Sequence, residues 1–121
     1  MTNTPHRIER VFELEYRRRA AEIRAASDRL RELGRGAAPG TWRMVDTGGS
    51  VRVTNRDGQE VAALAGVWAP STARYLTTFA PDTGFLVAEL MWRCQSVVRR
   101  GEMPAQIEDA LVDLAKAVIL Q

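Results

Sequence analysis

The sequence predicts an α+β fold: a long N-terminal helix, a small antiparallel β-meander of two or three strands, and three C-terminal helices. Three observations carry this. Apolar and small residues recur at steps of three, four or seven from Ile8 to Leu33, the period of a helix face. The period drops to two after the Pro39-Gly40 linker, as in half-buried strands. Helical spacing then returns from Pro70 onward.

The first helix is expected over Thr4 to Leu33, with Thr4 as N-cap, Pro5 in the first turn, and Gly34 and Gly36 ending it. Its stripe is Ile8, Phe12, Tyr16, Ile23, Ala26, Leu30 and Leu33, and Arg19 falls where an apolar residue belongs. At 1.5 Å per residue such a helix is roughly 45 Å long, so it is expected to project or to pair with a partner helix. Trp42, Met44 and Asp46 form the first strand, Val51 to Thr54 the second and Val61 to Leu64 the third, with turn signals at Gly48-Gly49 and Asn55-Arg56-Asp57-Gly58. A meander this small is marginal alone, so one face must lie on helices. A short helix from Pro70 to Thr78 precedes one from Pro81 to Arg100, which is apolar nearly all round and is the expected core helix. The last helix begins at Pro104, with Ile107, Ala110, Leu111, Leu114 and Val118 on one face and Glu108, Asp109, Asp113 and Lys116 on the other. The expected organisation is a single structural domain, with residues 1–36 as an oligomerisation or partner arm and 37–121 as a small α+β body.

Composition narrows the chemistry. With 45% apolar and 26% charged residues the chain has the makeup of a globular protein. One cysteine, Cys94, and one histidine, His6, give no material for a disulfide framework, a zinc finger or a Cys/His nucleophile pair, and no metal or cofactor is expected. The longest uncharged apolar stretch, Val61 to Ala69, has nine residues, whereas a membrane-spanning helix needs roughly twenty. A cytoplasmic location is the expectation. Sixteen of the seventeen basic residues are Arg, and charge runs from net +3 over residues 1–36 to net −3 over 101–121.

Several motifs resolve into ordinary structure. Asp46-Thr47-Gly48 has the letters of an aspartic-protease motif, but Asp-Thr-Gly-Gly-Ser is equally a hairpin turn. No Gly-x-Ser-x-Gly elbow or phosphate loop occurs, and Arg99-Arg100 before Gly101 is what a helix C-terminus favours with no ligand. The Pro81 helix lacks the polar face that reading DNA bases requires. The largest constellation is the arginine set of the first helix, Arg7, Arg10, Arg17, Arg18, Arg19, Arg24, Arg29 and Arg31. Glu13, Glu15, Glu22 and Glu32 are spaced to neutralise several of these. If helices associate, Arg19 and Arg24 would converge on an anionic ligand or an acidic partner surface.

The middle of the chain carries a resemblance. The entry Gly36-Ala37-Ala38-Pro39-Gly40-Thr41-Trp42, the hairpin, and the run Thr72 to Thr83 followed by Leu86-Val87-Ala88-Glu89-Leu90 resemble the phage early-protein family called Ea twenty-two-like and its relatives in actinobacterial phages and prophages. Pro39, Gly40, Trp42, Ala73, Tyr75 and Pro81 match its pattern in order, with Ala80 where the family carries Asn. The resemblance implies a non-enzymatic accessory protein that binds and neutralises a host component, and it brings no catalytic residues. Two targets compete. One is an anionic nucleotide signal held between protomers of a homo-oligomer, with Arg19, Arg24 and Arg74 as ligands and Trp42 or Tyr75 for stacking. The other is a host protein gripped by the N-terminal helix. A small enzyme is the more distant alternative.

Overall fold

A computed structural model describes the backbone of residues 4–120 and the side chains of residues 11–120. The elements run α1 (Thr4–Gly36), β1 (Arg43–Asp46), β2 (Val51–Thr54), β3 (Glu60–Leu64), α2 (Ala69–Thr78), α3 (Pro81–Arg99) and α4 (Ala105–Ile119). The predicted α+β class is therefore the observed one. The expected cap at Thr4 and Pro5, and the side chains of His6, Arg7, Ile8 and Arg10, lie outside the described residues. The chain divides into two compact units. One takes the residues up to Leu30 together with those from Val87, and the other is Arg31–Leu86. That division differs from the expected arm of 1–36 and body of 37–121.

In the helical unit, α1 is not a projecting arm along its middle. Ala20, Ile23 and Ala26 are buried with Met91 and Val98 of α3 and Leu111 and Ala115 of α4. Small residues on α1 let the helix backbones approach, and the Ser27 hydroxyl donates to the Ala88 carbonyl at 2.7 Å. The Ser27 contact and the approach of Gly101 to Tyr16 fix α1 and α3 as antiparallel neighbours. α3 ends in a Schellman motif, in which Glu102 N–H donates to Val97 O and Gly101 N–H to Val98 O, with Gly101 at φ +71°. Any Cβ at Gly101 would sit 2.5 Å from the Tyr16 ring.

Two predicted faces are corrected. α3 is apolar nearly all round in sequence, yet only the side carrying Ala88, Met91 and Val98 is buried, while Leu86 and Leu90 are exposed. On α4 the buried stripe is Glu108, Leu111 and Ala115, rotated from the predicted one, and Ile107 and Leu114 face outward. The cause is electrostatic. Arg19 occupies an apolar position of α1, and its guanidinium pairs with the Glu108 carboxylate, drawing a residue only 4% exposed into the core.

In the second unit the three strands form one antiparallel sheet in the order β1-β2-β3, with Met44 opposite Val53 and Val53 opposite Ala62. Alternation buries Val51 and Val53 on the face that α2 covers through Ala69 and Ala73, and leaves Arg43 and Arg52 on the other. The Asn55–Gly58 turn satisfies itself, since the Asn55 side-chain oxygen accepts from the N–H groups of Asp57 and Gln59. Asp46-Thr47-Gly48 is likewise a hairpin turn. Asp46 accepts from Gly48 N–H at 3.0 Å, and Gly48 has φ +82°.

Candidate functional site: a cationic cleft in the helical unit

A concavity of about 950 Å³ lies in the helical unit, between α1 and the C-terminal half of α3. Its α1 wall is built by a stripe in which every fourth residue points the same way: Phe12, Tyr16, Ala20 and Arg24. Arg17 and Ala21 flank it, and α3 contributes Gln95 and Arg99, with Arg100 beyond the helix end. Four guanidinium groups therefore face one cleft.

These four are not equivalent. Arg17 donates to Glu13 at 2.8 Å, one turn earlier, and Arg100 to Glu102 at 3.3 Å. Arg24 and Arg99 have no carboxylate partner among the described residues. Both are exposed, so their charge is available at the mouth of the cleft. At the far end Phe12 and Tyr16 stand as a stacked pair, with ring centroids 6.5 Å apart and planes inclined by 25°. Tyr16 is held in place because its ring lies on Gly101. The arrangement can hold an anion by charge-assisted hydrogen bonds and offer a flat apolar face beside it.

The predicted site residues separate. Arg24 lines this cleft. Arg19 is engaged with the carboxylates of Glu108 and Glu15, which raise its pKa, Glu108 contributing most. Glu15 in turn is held below the usual carboxylate range by the hydrogen bond from Arg18 at 2.7 Å and, secondarily, by Arg19. Trp42, Arg74 and Tyr75 belong to the other unit. Trp42 is half-buried against the sheet core, and its indole N–H donates to Ala38 O at 2.9 Å. Tyr75 is exposed on α2 beside Phe79, with centroids 5.0 Å apart. Arg74 is exposed, and its carbonyl accepts from the hydroxyls of Thr77 and Thr78.

Sequence reasoning did not select Phe12, Tyr16, Gln95 or Arg99 for the site. The aromatic pair reads as core stripe and Arg99 as a helix-end charge. The usable signal is the four-residue repeat ending in Arg24, once α3 is set antiparallel to it. Among the described residues no cluster of His, Cys, Asp and Glu could hold a metal ion, and no helix is long and apolar enough to cross a membrane. No protein-family model, curated protein or solved structure matches the chain.

Proposed function

We propose that the protein is a non-enzymatic binding protein that sequesters a small anionic nucleotide in the cleft between α1 and α3. The observation that carries this reading is the pair of guanidinium groups with no carboxylate partner among the described residues, Arg24 and Arg99, in a cleft walled by Phe12 and Tyr16. Phosphate groups pair with the arginines and a base lies against the rings. All of these residues belong to one chain, so a ligand is held without a second protomer. The resemblance to phage early proteins supplies the setting: a phage or prophage accessory product in the bacterial cytoplasm that neutralises a host signal.

Calorimetric titration with 5′-AMP and ATP, with chromatography of the recovered nucleotide, tests it. Binding without turnover is expected, lost in Arg99→Glu and retained in Arg74→Glu. Retention in the first variant removes the site, and hydrolysis removes the non-enzymatic reading. A second reading, capture of a host protein through α1, is favoured by the exposed apolar residues Val11 and Leu14, 60% and 64% accessible. Its test is a pull-down from host extract with Val11→Glu/Leu14→Glu, which would abolish capture.

A further inference from the structure

The cleft's charge is divided, not concentrated, and this constrains its ligand beyond the reading on which the inference rests. Arg17 and Arg24 are seven residues apart on α1, about 10 Å along the axis at 1.5 Å per residue. Because Gly101 lies on the Tyr16 ring, the end of α3 brings Arg99 and Arg100 to the level of Tyr16 and Arg17. α3 runs antiparallel to α1, so Gln95, one turn back from Arg99, lies toward the level of Arg24. The cleft thus has two cationic levels. The first holds Arg17, Arg99 and Arg100, of which Arg17 and Arg100 are occupied by Glu13 and Glu102. The second holds Arg24. Each level keeps one guanidinium with no carboxylate among the described residues, and between them the α1 wall is Ala20 and Ala21, with Gln95 across on α3.

We infer that the cleft takes a short oligonucleotide with two separate phosphates, one at Arg99 and one at Arg24, its backbone crossing the alanine step and its terminal base on Phe12 and Tyr16. A nucleoside triphosphate fits this poorly. Its phosphates form one contiguous cluster that satisfies a single level and leaves the other guanidinium without an anion. Phosphates on successive nucleotides are spaced by a sugar, which the small side chains accommodate. Stacking on an aromatic platform is tolerant of base identity, so the selectivity lies in phosphate number and spacing.

The test compares 5′-phosphorylated diadenylate with 5′-AMP and ATP by calorimetry at 0.15 M salt. The dinucleotide is expected to bind about tenfold or more tightly than either, the equivalent of one additional charge-assisted contact. Arg24→Gln should remove that advantage, weakening the dinucleotide by about tenfold and AMP by clearly less, and the variant should fold, since Arg24 is exposed and makes no core contact. Ala21→Glu, also at an exposed position, should weaken the dinucleotide more than AMP. Equal affinity for ATP and the dinucleotide, or an equal loss of AMP and dinucleotide binding in Arg24→Gln, overturns the two-phosphate assignment and leaves nucleotide binding standing. If none of the three ligands binds, both the assignment and the sequestration reading fall.

Discussion

The two compact units bury polar groups in opposite ways. In the sheet unit, Asn55 is 5% exposed and its partners, Asp57 and Gln59, lie within four residues along the chain. In the helical unit, Glu108 is equally buried, but its partner Arg19 lies 89 residues away. A local network forms with its own turn and asks nothing of the rest of the fold. A distant ion pair exists only when α1 and α4 are docked, and docking is correct only when the pair closes. The same requirement, that no buried polar atom lacks a partner, thus gives a self-contained hairpin in one unit and a registry pin between helices in the other.

That contrast can be broken at unequal cost. The largest effect is expected for Arg19→Ala, which leaves the Glu108 carboxylate buried without its cation. It should cost about 3 kcal/mol, read as a shifted urea midpoint, with hydrogen exchange accelerated in residues 87–120 and unchanged in the sheet. Glu108→Ala should cost less, because Arg19 is about one-third exposed and keeps Glu15. If the two variants lose the same stability, the asymmetry of burial is not what sets the energy. Gly101→Ala follows at about 2 kcal/mol, since a residue with a Cβ at φ +71° is strained and meets the Tyr16 ring. Asn55→Ala should cost about 1 kcal/mol, with faster exchange confined to the β2–β3 hairpin.

The smallest effect concerns pH. The folded-state pKa of Glu15 is depressed, so its contribution is present above the unfolded value and is lost as pH falls through the folded one. The urea midpoint should therefore hold from pH 7 to about 5 and decline below about 4.3, less steeply in Glu15→Gln than in the parent protein. An identical decline in both would show that the pairing of the Glu15 carboxylate with Arg18 and Arg19 contributes nothing to folding.

Element order and the alternation of β2 were legible in the sequence because period and turn chemistry are local. Val51 and Val53 alternate with Arg52 and Thr54, and the glycines mark the turns where they occur. The burial of α4 was not legible, since the Ile107-Leu111-Leu114 face is the more apolar one and only the ion pair to Arg19 overrides it. Yet the anomaly that causes the override was visible, as an arginine standing in an apolar stripe. The same limit applies to the candidate site. Arg24 can be read from α1 alone, but its relation to Gln95 and Arg99 depends on which face of α3 packs inward, and α3 is apolar on too many sides for its sequence to specify that face.

Gly101 joins two properties that proteins usually keep apart. It ends α3, and its bare α-carbon is the surface on which Tyr16, one wall of the cleft, comes to rest. A change at this position that alters how the helix stops also displaces the aromatic ring. Selection for greater robustness and selection for a different ligand therefore meet at one residue, and at this end of the molecule neither can be adjusted without disturbing the other.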